Sequence, residues 1–333
     1  MLRLLTALIV LAACSGKRGD PPPAAAPALH QASLVFRGMC DASGAVALSP
    51  ERFAVADDED NVLRVYDSTR GGDPLALIDV SPALHLPIKK KVPEADIEAA
   101  TRLGDRALWL TSHGLNSSGK LQPGRFRFFG TTAPGNGESL APVGTAYQGL
   151  LDDMLAAPQL ARFDLASAAK LAPKVQGGLN IEGMTRRIDG TTVWIGFRSP
   201  RPEGKALIVP LRNPLALLAG ARAEFGEPVL LDLSGLGVRS MSLWQGQYLI
   251  LAGALDSEAA SRLYRWDGSG APQLVPGVEL NGFNPEAFVS RDELDRVLLL
   301  SDDGNRIVAG QPCKKLTDRA KKQFRGLWVQ LGS

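Results

Sequence analysis

An acidic residue followed by alanine or glycine recurs at three widely separated places in the chain. These acidic residues, each followed further along by an apolar run of strand character, are Glu98, Glu182 and Glu286. Carboxylate oxygens are hard ligands that suit Ca²⁺ or Mg²⁺ better than a transition metal, and the 333 residues include only 3 histidines. The pattern therefore predicts a divalent-cation site formed by the three glutamates, provided that the fold brings them together.

Four residues are candidates for catalysis at such a site. Glu182 would act through the cation, while Arg198 and Arg239 would stabilise negative charge that develops on a substrate. His113 is a candidate general base, with a hydrogen-bonded loop histidine as the alternative. Its neighbour Ser112 cannot pair with it as a nucleophile, because adjacent residues of a strand point to opposite faces.

Polar loop residues supply candidate contacts to a bound ligand. The predicted ligand-binding residues are Asp57, Asp58, Asn61, Lys120, Asp302 and Asp303. Converging like charges raise one another's pKa or recruit a cation. Two alternatives stay open: the acidic run at residues 57–61 serves tight turns, and the recurring glutamates form structural hydrogen bonds between neighbouring units.

The elements that would position these residues are repeated groups of short strands. Five units are recognisable, with hairpin turns indicated by pairs such as Asp189-Gly190 and Asp267-Gly268. Recurrence at a long period predicts an all-β fold, a β-propeller in which five blades are countable and six are possible. Residues 148–155 and 213–225 are predicted to form short helical insertions.

The connectivity of a propeller predicts where the polar residues meet. Loops that lead into the first strand of a blade lie on the same face as loops that follow the second strand. This placement puts Asp41, Glu98, Glu182 and Glu286 around one mouth of the central channel. The fifth unit lacks a fourth strand, which residues 33–37 could supply, so that both chain ends close the ring and cover its edges.

Cys40 and Cys313 lie near the two ends of the predicted propeller. Ring closure would bring them into one blade, and an exported protein meets an oxidising compartment, so a disulfide between them is predicted. Two buried free thiols are the alternative. Neither residue has the neighbouring cysteine or histidine that is typical of a zinc site.

The N-terminal segment has the features of an exported lipoprotein. Residues 1–13 are predicted to be a signal peptide, because a short apolar stretch follows a basic residue. The sequence Leu11-Ala12-Ala13-Cys14 resembles a bacterial lipobox, which predicts lipidation of Cys14; an ordinary secretory leader with a chance cysteine is the alternative. The Pro- and Ala-rich residues 14–32 are predicted to be a tether, followed by the propeller domain at 33–333.

The charge balance excludes one class of partner. The formal net charge is +2, and no Lys/Arg tract with interleaved aromatic residues is present in the sequence. Nucleic acid is therefore not an expected partner.

Several motifs in order resemble a known bacterial family. The motifs are residues 57–66, 112–114, 180–184, 196–200 and 235–240. Together they resemble the domain of unknown function 3616 family over about residues 34–331. More distantly, the Glu-Gly step at Glu182 resembles esterase-like phytase and gluconolactonase-type propellers. The nearer family has no assigned activity. The distant resemblance implies a channel-mouth metal and hydrolysis of a phosphoester or lactone, with Glu182 as the residue carried over.

The sequence thus predicts a lipid-anchored propeller of the cell envelope. Ser15, directly after Cys14, resembles the sorting signal that directs lipoproteins to the outer membrane, so the domain would face the periplasm. The predicted function is to bind or hydrolyse a small anionic substrate, phosphoester- or lactone-like, at a Ca²⁺ or Mg²⁺ site in the channel mouth. The alternative is a non-catalytic scaffold that docks an envelope protein or a cell-wall partner.

Overall fold

The structure is a computed structural model that describes residues 33–87, 92–134, 140–255 and 261–331. The predicted signal peptide, Cys14 and the tether lie outside the described residues. None of the described helices is both long and apolar enough to cross a membrane.

The described strands form five four-stranded antiparallel sheets, the blades of a β-propeller. The chain begins with β1 (Leu34–Arg37), which belongs to the last blade. Four blades follow, each made of four consecutive strands: blade one, β2 (Ala42–Ala47), β3 (Arg52–Asp57), β4 (Val62–Asp67) and β5 (Ala76–Asp79); blade two, β6 (Ile97–Leu103), β7 (Arg106–Thr111), β8 (Phe128–Thr132) and β9 (Pro142–Tyr147); blade three, β10 (Asn180–Arg186), β11 (Val193–Ser199), β12 (Ala206–Leu211) and β13 (Val229–Leu231); blade four, β14 (Gly237–Trp244), β15 (Gln247–Gly253), β16 (Arg262–Trp266) and β17 (Gln273–Leu274).

Blade five is built from both ends of the chain. Its strands β18 (Pro285–Val289) and β19 (Arg296–Ser301) precede a small separate sheet of β20 (Ile307–Val308) and β21 (Gln311–Pro312), and β22 (Gln323–Gln330) follows. The order in the blade is β18, β19, β22 and then β1, which pairs with β22 in antiparallel register. The predicted closure by the N-terminal strand is therefore correct.

The inner strands form a closed ring around a central channel. The first strand of each blade contacts the first strand of the next, in the order β2, β6, β10, β14, β18 and back to β2. This closed ring of five blades confirms the predicted propeller, and a sixth blade is not formed by the described residues. We call the end of the channel at which the inner strands begin its upper end, and the opposite end its lower end.

The apolar core is divided among the interfaces between blades. Successive residues of a strand point to opposite faces, and in the middle strands both faces are covered by neighbouring blades. Leu298, for example, packs in the cluster between blades five and one, whereas Leu299 packs in the cluster between blades four and five. Strands buried on both faces need continuous apolar runs, which explains Val297–Leu300 in β19.

Ring closure is reinforced by aromatic packing and by a covalent bond. Phe36 of β1 stacks on Phe324 of β22 with their ring centroids 4.9 Å apart, and it contacts the edge of Phe53 at 5.3 Å. Cys40, just after β1, forms a disulfide with Cys313. Of the two alternatives for these cysteines, the structure contains the disulfide.

Short helices occupy the insertions between strands. They are α1 (Leu150–Ala156), α2 (Leu165–Ala168) and α3 (Pro214–Leu217), with 3₁₀ turns at Ser81–Leu84, Pro123–Arg125, Pro158–Phe163, Pro202–Gly204, Cys313–Lys315 and Arg319–Lys321. The helix predicted at 148–155 corresponds to α1. The helix predicted within 213–225 is limited to the single turn of α3, because Asn213 directs its side chain to the backbone of Arg222 and Glu224.

Candidate functional site

Each inner strand has an irregular register near its beginning. Between Ile97 and Ala99 of β6, for instance, the pairing with β7 shifts, so that Glu98 has no partner in the ladder. The residues at this place in blades two to five are Glu98, Glu182, Arg239 and Glu286. A β-bulge redirects the side chain of its extra residue. The recurring glutamates of the sequence are thus the bulge residues of blades two, three and five.

Arg239 lies between two of these glutamates. Its guanidinium forms ion pairs with Glu286 through Nη2 and with Glu182, where Nε lies 3.8 Å from Oε2. Its Nη1 donates to Asn284 Oδ1 at 2.5 Å. Only 2% of Arg239 is exposed, and burial, together with the charge of Arg198, lowers its pKa from the ordinary value. The arginine therefore acts as an internal counter-ion for the bulge residues of blades three and five.

Gly253 makes room for this arginine. A Cβ atom at Gly253 would lie 2.5 Å from Arg239 Cδ, closer than nonbonded carbon atoms approach. The end of β15 therefore needs glycine opposite the bulge of β14.

Arg198 compensates Glu182 from the second strand of the same blade. Its Nη1 donates to Glu182 Oε1 at 2.7 Å, and Asn180 Nδ2 donates to the same oxygen at 2.7 Å. The other donors of Arg198 are directed to the carbonyl oxygens of Ala254, at 3.1 and 3.0 Å, and of Leu255, at 2.9 Å. Arg198 is thus engaged by the protein itself, and its geometry does not leave the guanidinium open to a ligand.

Five carboxylates meet at the upper ends of blades one and two. They fall into two groups that share Asp58, and in each group the candidate ligand oxygens lie within 4.8 Å of one another. We call the set the carboxylate cluster; its members are Asp41, Asp57, Asp58, Asp96 and Glu98. These residues come from the loops before β2 and β6, from the end of β3 and from the bulge of β6, which is the arrangement that propeller connectivity predicts.

Burial in like-charged surroundings alters the ionisation of the cluster. Burial and the charges of Asp302 and Asp57 raise the pKa of Asp41 to about 9. Burial likewise raises the pKa of Asp57 to about 7, helped by Asp60, and that of Asp96 to about 6 against the opposing charge of Arg125. The pKa values of Asp58 and Glu98 also lie well above the ordinary range, because burial and neighbouring carboxylates disfavour their charged forms.

Two oxygens of the cluster are buried and have no hydrogen-bond partner in the part of the chain that the structure describes. They are Asp41 Oδ2 and Asp58 Oδ1, and Asp41 is only 5% exposed. An unpaired buried polar atom is costly, and a bound cation would compensate both oxygens. Several carboxylate oxygens without a soft ligand fit Ca²⁺ or Mg²⁺.

Gly304 holds Asp41 in this place. A Cβ atom at Gly304 would lie 1.6 Å from Asp41 Oδ1, so a side chain cannot be accommodated without moving the carboxylate. The adjacent Asp302 pairs with Asp41 in an isolated antiparallel bridge, and its carboxylate accepts from Gly304 N at 2.9 Å and Asn284 Nδ2 at 3.1 Å. Asp302 therefore borders the cluster, as predicted for a residue of the channel mouth.

The three glutamates predicted as one metal site are divided between two environments. Glu98 belongs to the carboxylate cluster. Glu182 and Glu286 contact arginines and belong to neither group of carboxylates found in the described residues. The residue at the bulge position of blade four is basic. It is Arg239, which forms ion pairs with both of these glutamates.

Two predicted ligand-binding residues have structural roles. Asn61 ties blade one to the segment before β6, since its amide donates to Pro93 O at 3.0 Å and accepts from Ala95 N at 2.8 Å. Asp303 is buried and binds Arg325 at 2.7 and 2.8 Å. These side chains are engaged by protein groups, and contact of either with a ligand stays a prediction.

His113 and Lys120 do not join the cluster. The His113 ring is 0% exposed; its Nδ1 lies 2.8 Å from Thr111 O, and its Nε2 has no hydrogen-bond partner among the described residues. Burial lowers the pKa of His113 to about 4, so the ring is neutral at physiological pH and its role as a general base stays a prediction. Lys120 is exposed in a turn, where its backbone nitrogen donates to Asn116 Oδ1 at 2.9 Å.

Asp96 is the member of the cluster that sequence reasoning missed. Its signal is a repeat in which an aspartate or asparagine stands two residues before each recurring glutamate, at Asp96, Asn180 and Asn284. In the structure Asp96 joins the cluster, whereas Asn180 and Asn284 donate to neighbouring carboxylates. The residue two positions before the glutamate therefore lies beside the bulge in three blades, but it is a carboxylate in blade two and an amide in blades three and five.

Comparisons with known proteins give two structural resemblances and one family match. The chain resembles glutaminyl cyclase from Myxococcus xanthus with a TM-score of 0.43 and 10% identity, covering 91% of this chain and 99% of that one. It resembles the PQQ-bound aldose sugar dehydrogenase from Streptomyces coelicolor with a TM-score of 0.44 and 12% identity, covering 93% and 99%. No curated protein matches the sequence.

The family match lies in the third and fourth blades and the segment before them. Residues 145–275 match the model of the family described as protein of unknown function (DUF3616). The matched part contains Glu182, Arg198 and Arg239 and ends before blade five. The predicted resemblance to the domain of unknown function 3616 family is therefore confirmed, with a match that spans residues 145–275.

Proposed function

We propose that the carboxylate cluster binds a divalent cation, Ca²⁺ or Mg²⁺, and that this cation holds a small anionic ligand at the upper end of the channel. The observation that carries the proposal is the pair of buried, unpartnered oxygens, Asp41 Oδ2 and Asp58 Oδ1, within a group of five carboxylates. Buried charges are normally paired or coordinate a metal. A cation would satisfy both oxygens and relieve the mutual repulsion of the cluster.

The arginines support this arrangement indirectly. Because Arg239 is paired with Glu182 and Glu286, and Arg198 with Glu182, neither guanidinium is left to attract an anion by itself. An anionic ligand would therefore depend on the cation for its binding. The arginine pairs would fix the wall of the site and hold the bulges of β10 and β18 in position.

Hydrolysis of a phosphoester- or lactone-like substrate is the reaction class that such a site favours. When bound, a divalent cation supplies polarisation of the scissile group and a lowered pKa for water. The protein's part is to orient the carboxylates and to bury them. We place the protein in the cell envelope, attached through lipidated Cys14 and the tether of residues 14–32, as the N-terminal sequence indicates.

Asp58→Asn is expected to abolish cation binding, because Asp58 is shared by both carboxylate groups. Titration calorimetry with Ca²⁺ and Mg²⁺ should show binding to wild type and a loss of at least about tenfold in affinity in the variant. Glu227→Gln is the matched control, since it removes an exposed carboxylate on the segment before β13 and should bind as wild type does.

The metal-free proteins provide a second readout for Asp58→Asn. In the presence of chelator the variant should melt at a higher temperature than wild type, because asparagine replaces a carboxyl whose charged form burial and the neighbouring carboxylates disfavour. A variant that binds Ca²⁺ and Mg²⁺ as wild type does would contradict the proposed site. Absence of cation binding in wild type would favour the scaffold alternative. If wild type does bind a cation, a screen of phosphoester, carboxyl-ester and lactone substrates with and without chelator tests for hydrolysis.

The metal-free protein is expected to lose stability as the pH rises. Asp41 and Asp57, with folded pKa values of about 9 and about 7, keep protons that the unfolded chain releases near pH 4. The free energy of unfolding should therefore fall above pH 4, by about 1.4 kcal/mol per pH unit for each retained proton, until Asp57 ionises near pH 7 and Asp41 near pH 9. Urea unfolding with chelator at pH 6 and pH 8 measures the fall, which saturating Ca²⁺ should remove. Equal stability at the two pH values would contradict the buried cluster.

A further inference from the structure

A cavity lies at the lower end of the channel, where the inner strands end. Its volume is about 460 Å³, within the range of small-molecule sites. All five inner strands contribute to its wall, but no residue of the carboxylate cluster does. The cavity is therefore separate from the proposed cation site and lies at the opposite end of the ring.

Three arginines surround this lower cavity. Arg186 Nη2 lies 3.2 Å from Asp292 Oδ2, and Arg291 Nη2 lies 3.5 Å from Glu293 Oε2. Both acidic partners are exposed, so water screens their charges. The arginines are half-buried. Asp292 and Glu293 line the same cavity, so its three arginines exceed its two acids by one positive charge.

Arg102 has no carboxylate partner among the described residues. Its Nη1 donates to Leu48 O at 2.9 Å, and its Nε donates to Gly104 O at 3.1 Å. Carbonyl oxygens orient the guanidinium without neutralising it. The cavity thus has a half-buried, fixed positive charge, which is the preferred partner of a carboxylate or phosphate group.

Two threonine hydroxyl groups in the wall also favour an anionic ligand. Thr101 Oγ1 accepts from Arg186 N at 2.8 Å, and Thr185 Oγ1 accepts from Leu243 N at 2.8 Å. Each hydroxyl oxygen accepts from a backbone N–H of the next blade, and no group of the described residues accepts its proton, which is left to donate. These two hydroxyl groups therefore favour a ligand group that is rich in oxygen acceptors.

The wall also has an apolar part, beside the polar side chains of Ser49, Ser242 and Ser290. Val46, Leu243 and Phe288 line the cavity together with the small side chains of Ala45 and Ala47. We propose that the lower cavity binds a small organic anion, with its oxyanion group at Arg102 and Thr101 and its apolar part against Phe288 and Leu243. This site is independent of the cation site at the upper end.

Binding of phenylphosphonate and methylphosphonate tests this proposal. Neither probe is a phosphoester, and titration in the presence of chelator silences the upper site. Wild type should bind phenylphosphonate with saturation, and more tightly than methylphosphonate by about tenfold, because the phenyl ring buries apolar surface. Arg102→Gln should weaken both probes at least about tenfold, whereas Arg262→Gln, an exposed arginine of β16, should not.

Ala47→Phe provides a test that leaves every charge in place. The larger side chain at a half-buried wall position should fill the cavity and abolish binding, even if Arg102→Gln has lost stability with its backbone contacts. No saturable binding to wild type, or equal binding in wild type, Arg102→Gln and Ala47→Phe, would overturn the proposal. Because all titrations contain chelator, these outcomes are independent of whether the upper site binds a cation.

Discussion

Arg239→Met is expected to lower the free energy of unfolding by about 3 to 5 kcal/mol, the effect of removing one partner from a buried ion pair. The arginine is 2% exposed and is the cation that contacts Glu286. Methionine occupies a similar volume but leaves the mostly buried Glu286 carboxylate, whose side chain is 12% exposed, without its cation. Urea unfolding at pH 7 measures the loss.

Two further variants separate this charge effect from a packing effect. Arg239→Met combined with Glu286→Gln should recover about half of the lost free energy, since the uncompensated charge is then absent. Arg262→Met, which alters an exposed arginine in the same blade, should change the free energy by less than about 0.5 kcal/mol. If Arg239→Met is as stable as wild type, the guanidinium is not the counter-ion of the bulge glutamates.

Replacing Cys40 and Cys313 together by alanine is expected to lower the free energy of unfolding by about 4 to 5 kcal/mol. The disulfide links residues separated by 273 positions, so its removal frees almost the whole unfolded domain from a covalent loop. Both cysteines are fully buried, and alanine at position 313 also removes the sulfur that accepts from Gln323 N at 3.3 Å. Chemical unfolding of the oxidised wild type and of the double variant measures the difference.

Reduction supplies the control for the disulfide prediction. A reducing agent should destabilise wild type by a similar amount and leave the double variant unchanged. If the reduced wild type keeps the stability of the oxidised protein, then blade five is held by strand pairing and aromatic packing alone, and the prediction is wrong.

The propeller was predictable because its signals are local. Alternating strands, turn pairs such as Asp267-Gly268 and the shortage of one strand in the last unit can all be read along the chain. The missing strand even predicted that residues 33–37 close the ring, as β1 does in its pairing with β22. Each of these features depends on residues close in sequence or on the need to cover a sheet edge.

The partition of the carboxylates was not predictable in the same way. Glu98, Glu182 and Glu286 have equivalent sequence settings, and all three sit at a bulge of an inner strand. Their different partners arise because the ring places Arg239 beside blades three and five, whereas blades one and two contribute further aspartates. Such neighbours depend on the order of blades around the axis, so residue spacing alone does not reveal them.

Whether the hydrogen-bonding groups of a side chain are already used by other protein groups also depends on the three-dimensional arrangement. Asn61 and Asp303 have the residue types of ligand contacts, yet Asn61 serves the backbone of a neighbouring segment and Asp303 serves Arg325. Conversely, Arg102 had no distinguishing sequence context, and it becomes notable only because its partners are carbonyl oxygens at the end of the channel. Hydrogen-bond accounting decides between a binding residue and a structural one.

The position of Cys40 governs how the domain responds to a pull on its N-terminal side. Tension applied there first reaches β1, whose four residues could separate from β22 one pair at a time. The bond from Cys40 to Cys313 stops that separation within a few residues and passes the load into the segment between β21 and β22. The load is thus shared between blade one, which follows Cys40 in the chain, and blade five, so tension on the tail acts on the closure of the ring.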